Sequence, residues 1–378
     1  MKNALLIVSL AMASNSFADE LAVAGQWLVD TQGVTLLDPQ SSGLTLRHNE
    51  LLHIGDNKAD KTMRNVLLRI DPTTAQLKAA PIAITVAPSL QHSCFADLLH
   101  GDPDFEALTW DRIDDTTLIT VTEDSRAYSL SAQCQAKYAH SYSTDYPSLL
   151  LKIIVDKALS QAQIVAVRPI QFPKSAKVGN FPNDGIEGLA FDNNRNLYLA
   201  LEQNSANAPM IFSSPYGADF WQDESFIAVT DAGLHLPNID NQDHPINALD
   251  FLPSDKPNHP GYLIAMARND DQLWIIDLAK QAPAVVQNIG FYAATPATSQ
   301  CPSYERMSQT AAEGIAVKGN QVFIVNDPWQ RHYADNIQCP ENAINFNRFS
   351  PLLFSLQINP QWFIPQKAVK ELQNSHIN

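Results

Sequence analysis

A short motif returns five times along this chain and restricts the folds open to it. Each copy has a polar residue, then a small residue, then a strand in which apolar residues alternate with others. A polar turn and further short apolar strands follow each copy. The five copies are residues 42–46, 106–110, 187–191, 247–251 and 313–317. Four short strands per unit, repeated at intervals of roughly 60–80 residues, are typical of the blades of a β-propeller.

The repeat predicts an all-β chain with five visible blades. A fourth strand is missing from the fifth unit, and an isolated apolar strand near residues 26–29 could supply it and close the ring. The long interval between the second and third units leaves room for a sixth blade. A β-sandwich is the alternative fold, although a sandwich does not require such repetition.

The first 18 residues read as a secretory signal. Lys2 precedes an apolar run over residues 4–13, and Ser16 and Ala18 form a small-x-small cleavage site. An N-terminal helix buried in the fold is the alternative. No cysteine directly follows the cut, and no other apolar run reaches the ~18 residues of a membrane span. We therefore expect a single propeller domain over residues 19–378 in a periplasmic or secreted protein.

The excess of acidic residues limits the classes of partner that the protein can bind. The chain has 25 Lys and Arg against 40 Asp and Glu, a formal net charge of −15. Such a surface repels nucleic acids and anionic membranes but suits a protein that binds cations.

Acidic and amide side chains recur at the start of the first strand in four of the five units. In a propeller this strand lines the central channel, so these residues should meet at one mouth: Glu106, Glu187, Asn247 and Glu313. Counting residues from each turn places Glu123, Glu202 and Asp327 just outside them. Carboxylate and amide oxygens are the ligands that Ca²⁺ prefers, so we expect a calcium site here. Alternatively the glutamates are solvated or bind backbone N–H groups between blades.

The repeat also predicts the disulfide pairing. Spacing alone allows three pairings of the four cysteines. Two units have enlarged loops on the mouth face, at 87–105 and 124–146 in the second unit and at 292–312 and 327–347 in the fifth. Because each loop pair holds two cysteines, we expect Cys94–Cys134 and Cys301–Cys339. The bridges either build a binding site on these loops or only stabilise them.

The loops on this face carry further candidate residues. A histidine could act as a general base, and an arginine such as Arg268 could bind a phosphate or carboxylate. The alternatives are surface histidines and ordinary ion pairs. The loop residues are His92, His100, His140, His244, His332, Arg126, Arg306, Arg331, Trp329 and Tyr333. The sequence has no GxSxG, P-loop, GxGxxG or HExxH motif, which argues against α/β-class serine hydrolases and nucleotide-driven enzymes.

One segment carries a family resemblance. The stretch DGIEGLAFD at 184–192, followed by LYLALE at 197–202, resembles the esterase-like phytase domain family of secreted bacterial propellers. AEGIA at 312–316 and SGL at 42–44 echo it. The Glu-Gly strand start is also similar to that of gluconolactonase and paraoxonase-type propellers, which hold a central Ca²⁺ with Glu, Asn and Asp. By position in the repeat, Glu187, Asn247 and Glu313 match those ligand types.

The resemblance implies hydrolysis of a phosphoester or carboxylester, although the scattered Arg and Lys do not form the basic cluster that phytate requires. In this hypothesis Glu106, Glu187, Asn247 and Glu313 bind the metal, and Glu123, Glu202, Asp327 or a loop histidine is the base. The alternative is a non-catalytic propeller that recognises a glycan, peptide or protein partner through its disulfide-linked loops.

Overall fold

The computed structural model describes residues 20–363 except 124, 180–184, 203, 207 and 238–245. The predicted signal peptide, the tail beyond 363 and His244 therefore lie outside the described residues. The described strands form five four-stranded blades, which confirms the all-β propeller and favours five blades over six. Three short helices lie in the enlarged loops: α1 (Ala96–His100), α2 (Ala132–Lys137) and α3 (Ala343–Asn347).

The strands follow the predicted units closely. Blade 1 has β2 (Ser41–Arg47), β3 (Glu50–Gly55), β4 (Val66–Ile70) and β5 (Ile82–Val86). Blade 2 has β6 (Phe105–Trp110), β7 (Thr117–Thr122), β8 (Leu149–Val155) and β9 (Ala162–Gln171). Blade 3 has β10 (Ile186–Phe191), β11 (Asn196–Leu201), β12 (Met210–Pro215) and the short strands β13 (Ile227–Ala228) and β14 (Thr230–Asp231). Blade 4 has β15 (Ile246–Leu252), β16 (Tyr262–Ala267), β17 (Gln272–Asp277) and β18 (Val285–Ala294), followed by β19 (Tyr304–Arg306). Blade 5 has β20 (Ala312–Lys318), β21 (Gln321–Asn326), β22 (Leu352–Gln357) and β1 (Leu21–Trp27).

The N-terminal strand closes the ring. β1 pairs antiparallel with β22 through Gly25, Gln26 and Trp27, and so becomes the missing fourth strand of blade 5. It also pairs in parallel with β18 of blade 4. The innermost strands contact one another in the cyclic order β2, β6, β10, β15, β20 and back to β2.

The fourth strand of blade 3 is divided, which the sequence pattern did not predict. Only β14 pairs with β12, whereas β13 pairs in parallel with β9 of blade 2. β5 of blade 1 also pairs in parallel with β9. Blades 1, 2 and 3 are thus joined by backbone hydrogen bonds at their outer edges as well as by side-chain packing.

Apolar side chains fill five clusters, one between each pair of neighbouring blades. Successive side chains of a strand point to opposite faces of its sheet. In β3, Leu52 and Ile54 pack toward blade 2, while Leu51 packs toward blade 5. The alternation that marks the strands in the sequence therefore also fills both faces of every blade.

The central channel is blocked below its mouth. Leu44, Leu108, Leu189, Leu249 and Ile315 are buried there, one from each inner strand. At the far end Arg112 donates to the backbone oxygen of Phe251 at 3.1 Å, and Asp250 accepts from the backbone N–H of Val317 at 2.7 Å. The mouth is therefore a cup with a closed floor.

Candidate cation site at the channel mouth

A β-bulge at the start of every inner strand builds the floor of the cup. In each blade the ladder shifts register around one residue: Ser42, Glu106, Glu187, Asn247 and Glu313. A bulge re-aims a side chain and interrupts pairing, and bulges are common beside functional sites. The five positions that the repeat singles out are thus structurally equivalent.

The bulge also corrects the predicted pairing across each hairpin. The backbone N–H of Glu202 donates to Gly185 rather than to Glu187, at 3.0 Å. Likewise the N–H of Glu123 donates to Asp104 at 3.1 Å and that of Asp327 to Ala311 at 2.7 Å. Simple counting from the turn fails because it assumes a regular ladder. The side chains still line the same cup.

The cup has a volume of about 580 Å³. Its charged lining comprises eight carboxylates and two cations: Asp56, Glu106, Glu123, Glu187, Glu202, Asp271, Glu313, Asp327, Lys58 and Arg268. Ser308, Gln309, Thr310, Ala311 and Trp329 of the blade 5 loops and Asn269 complete it. The acidic mouth expected from the sequence is present.

Two overlapping carboxylate groups stand out on blades 2 and 3. One oxygen each from Glu123, Glu187 and Glu202 lies within 4.8 Å of the others. Asp104, Glu106 and Glu123 form a second group by the same measure. Both groups are compact enough to hold one cation.

Burial makes these carboxylates costly to ionise. Desolvation is the main cause that raises the pKa values of Glu106, Glu123 and Glu187, and neighbouring carboxylates raise them further. A hydrogen bond from the backbone N–H of Gly185, 2.9 Å from Glu123 Oε1, opposes this effect. Without a cation, these glutamates stay protonated at pH values well above those at which an ordinary glutamate ionises.

Asn247 supplies a side-chain amide at the bulge position of blade 4, which is equivalent to Glu106 and Glu187. It is fully buried beside Glu187, whose pKa it lowers. Within the described part of the chain neither polar atom of its side chain makes a hydrogen bond of normal geometry. A buried amide without such bonds is costly, and a ligand near Glu187 would offset that cost.

Both cations of the cup are engaged with carboxylates. Arg268 lies in a one-turn 3-10 helix, Arg268–Asp270, directly after β16. Its Nη2 lies 3.1 Å from Glu202 Oε1, and its Nη1 contacts Glu313. Lys58 Nζ lies 3.5 Å from Asp56. Arg268 therefore links Glu202 of the first carboxylate group to Glu313 of blade 5.

Two further carboxyls in the cup titrate near neutrality. Burial raises the pKa of Asp327 to about 8, and Asp56 adds to the shift. Asp327 Oδ1 has no hydrogen-bond partner among the described residues. Burial raises the pKa of Asp271 to about 7, although Arg306 opposes the shift.

The predicted disulfides Cys94–Cys134 and Cys301–Cys339 are both present. The blade 5 loops line the cup through residues 308–311 and Trp329, whereas the described part of the blade 2 loops contributes Asp104 to the carboxylate groups there. The described blade 2 loops flank a separate groove beside Cys94–Cys134, which includes His92 and Lys137. Cys94 and Cys134 thus line that groove and not the cup.

None of the described loop histidines lines the cup. His332 pairs with Asp335 at 3.0 Å and packs on Trp329, while His140 stacks on Tyr142. Arg306 pairs with Glu20, and Tyr333 is buried and donates to Ser350. Trp329 is 44% exposed at the rim.

Sequence reasoning missed three residues of the site: Lys58, Asp104 and Asp271. Asp104 lies two residues before Glu106, but the equivalent positions carry Gln40 in blade 1, Gly185 in blade 3 and Ala311 in blade 5. No repeat signal could have identified it. Lys58 and Asp271 lie in turns whose course is not set by the strand pattern.

Comparison with known proteins finds distant likenesses to solved structures. No protein-family model and no curated protein matches the chain. A PQQ-bound aldose sugar dehydrogenase from Streptomyces coelicolor is 9% identical with a TM-score of 0.35, covering 87% of this chain and 96% of that one. The allergen Mala s 1 from Malassezia sympodialis is 10% identical with a TM-score of 0.44, covering 84% and 92%. The periplasmic gluconolactonase PpgL from Pseudomonas aeruginosa is 11% identical with a TM-score of 0.28, covering 68% and 56%. The chain is a β-propeller, and these likenesses carry no argument about its chemistry.

No described helix is long and apolar enough to cross a membrane.

Proposed function

We propose that this propeller binds Ca²⁺ in its cup and hydrolyses a carboxylester there. The observation that carries the proposal is the Glu123–Glu187–Glu202 group, whose oxygens lie within 4.8 Å of one another. Like charges at that separation, taken out of water, require a cation or protons.

The donor set fits calcium better than a transition metal. The described lining offers carboxylate, amide and hydroxyl oxygens but no histidine or cysteine. Hard oxygen donors suit Ca²⁺ and Mg²⁺, while imidazole and thiolate suit Zn²⁺ and Cu²⁺. Glu123, Glu187 and Glu202 would hold the ion, with Glu106 and Asn247 next to them. This assignment makes Glu123 and Glu202 metal ligands, whereas the sequence predicted them as candidate bases.

Asp327 is the best candidate for the base. It is buried in the cup, and burial raises its pKa to about 8, so that its ionised form is a stronger base than an ordinary aspartate. Bound Ca²⁺ would polarise the ester carbonyl and favour ionisation of water. Trp329 at the rim would provide an apolar wall for the ester.

The charge of the cup favours an uncharged ester over a phosphoester. Arg268 and Lys58 are the described cations of the lining, and both are paired with carboxylates. A phosphate would therefore face eight carboxylates without a free cation beside them. Phosphoester hydrolysis, which the phytase-like resemblance implies, stays a proposal, and the negative charge of the cup does not favour it.

The same cup also suits a non-catalytic role. The exposed indole of Trp329 and the blade 5 loops could bind a glycan, peptide or protein partner, with Ca²⁺ only rigidifying the mouth. Two disulfides fit an oxidising compartment, so we place either function in the periplasm or outside the cell.

Calorimetric titration with Ca²⁺ tests the metal site. We expect binding by the native protein and at least a tenfold loss in Glu187→Gln. Glu224→Gln, which removes the same charge in the blade 2 groove, should bind like the native protein. Equal affinity in all three would contradict the site.

Ester turnover separates the two functions. The calcium-loaded protein should hydrolyse p-nitrophenyl acetate faster than p-nitrophenyl phosphate, and Asp327→Asn should lose activity while it still binds Ca²⁺. Calcium binding without any calcium-dependent turnover would favour the binding propeller.

A further inference from the structure

Arg268 contacts two carboxylates of the cup at the same time. Its guanidinium bridges Glu202, a member of the Glu123–Glu187–Glu202 group, and Glu313 of blade 5. Only about a quarter of its side chain is exposed. Glu187, Asp327 and Glu106 also favour its charged form. One side chain thus supplies the positive charge that the carboxylate group lacks.

We infer that Arg268 is the protein's own counter-cation at this site, and that a divalent cation and the guanidinium compete for Glu202. This inference rests on the proposed calcium site. Glu202 Oε1 is one hydrogen-bond length from Arg268 Nη2. A metal bound by Glu202 would place two positive charges close to the guanidinium, and the two repel each other.

The geometry allows the exchange without a backbone movement. Arg268 contacts Glu313 through Nη1 and Glu202 through Nη2, so one contact can break while the other holds. Nη2 would then be free to donate to an oxygen of the ligand in the cup. Arg268 would keep the metal-free cup folded, and would lower its affinity for the metal.

This role predicts two effects of opposite sign for Arg268→Met. Without metal the variant should unfold at a lower temperature, because the carboxylates lose their counter-cation. With saturating Ca²⁺ it should gain a larger rise in unfolding temperature than the native protein. Its calcium dissociation constant should fall by at least about tenfold, because a repelling charge has been removed. Arg268→Lys keeps the charge but cannot bridge both glutamates with one planar group, so its affinity should lie in between.

The test measures calcium binding by calorimetry and unfolding temperature with Ca²⁺ or chelator for four proteins: native, Arg268→Met, Arg268→Lys and Arg195→Met. Arg195 pairs with Asp111 at 2.8 Å in the turns at the opposite end of the inner strands from the cup, and controls for the loss of one positive charge. Weaker or unchanged calcium binding in Arg268→Met, with native binding intact, would overturn the competition and leave the calcium site standing. Binding by Arg268→Met alone would support the competition and refute calcium binding by the native protein. Absence of binding in all four proteins would refute both. If Arg268→Met does not fold, Arg268→Lys decides by the direction of its change.

Discussion

Three buried glutamates determine how this molecule should respond to pH. The raised pKa values of Glu106, Glu123 and Glu187 mean that the folded protein holds more protons than the unfolded chain above their ordinary value of 4.5. Stability falls with rising pH wherever the folded state binds the extra protons. Asp327, whose pKa rises from 3.8 to about 8, acts in the same direction.

We therefore expect the metal-free protein to lose stability between about pH 5 and pH 8. Unfolding temperatures measured in chelator should fall over this range, and saturating Ca²⁺ should reduce the fall because it replaces the protons. Glu187→Gln removes one of the titrating groups and should flatten the metal-free curve. A metal-free midpoint that rises from pH 5 to pH 8 would contradict this account.

The sequence located these side chains but not their exact partners. The repeat identified all five floor positions because each blade places them at the same point of its inner strand. It could not show the bulge at each of these positions, and so misplaced Glu123 and Glu202 by two residues and Asp327 by one residue across the hairpin. It also could not show that Arg268 reaches Glu313, since the contact spans two blades.

The small residue after each floor position lets neighbouring inner strands approach closely. A Cβ atom on Gly188 would lie 2.8 Å from the Cβ of Leu249 in blade 4 and 3.0 Å from that of Ala200. Both neighbours are buried, so neither can move away freely. The polar-small-apolar motif is therefore a packing requirement of the channel as well as a marker of the site.

Gly188→Ala should destabilise the protein by about 1–3 kcal/mol through overpacking. Gly217 offers a matched control, because a Cβ there would meet nothing within 4 Å. Gly217→Ala should change stability by less than about 1 kcal/mol, with a small gain expected. Chemical denaturation measures both, and equal effects of the two substitutions would refute close packing at Gly188.

The two disulfides should differ in function although they are similar in size. Their cysteines are 40 and 38 residues apart, so each bridge can contribute at most about 4 kcal/mol by restricting the unfolded chain. The Cys301–Cys339 loops line the cup, whereas Cys94 and Cys134 line a separate groove.

We expect Cys301→Ser with Cys339→Ser to weaken calcium or ester binding severalfold. The matched double substitution Cys94→Ser with Cys134→Ser should lower the unfolding temperature by a similar amount and leave binding unchanged. Calorimetry and thermal unfolding distinguish the two cases. Loss of binding in the blade 2 variant would show that its loops take part in the site.

Closure of the ring joins the first described strand to the last blade. The sequence pattern predicted this closure, because the fifth unit lacked a fourth strand and an unassigned strand stood near the N-terminus. It placed that strand at residues 26–29, whereas β1 covers Leu21–Trp27. The divided outer strand of blade 3 was not predictable, since two-residue strands carry too little alternation to show a period.

Gly25 is the position where closure can be broken by one substitution. A Cβ there would lie 2.6 Å from Phe354 Cε1 and 2.9 Å from the Cβ of Leu352. Gly25→Val should therefore separate β1 from β22 and cost several kcal/mol. Because blade 5 supplies Glu313, Asp327 and Trp329, the loss of closure should also weaken calcium binding. Ala24→Val in the same strand is the control, because Ala24 is exposed and valine is well suited to a strand. A Gly25→Val protein with native stability and native calcium affinity would show that β1 does not hold the ring closed.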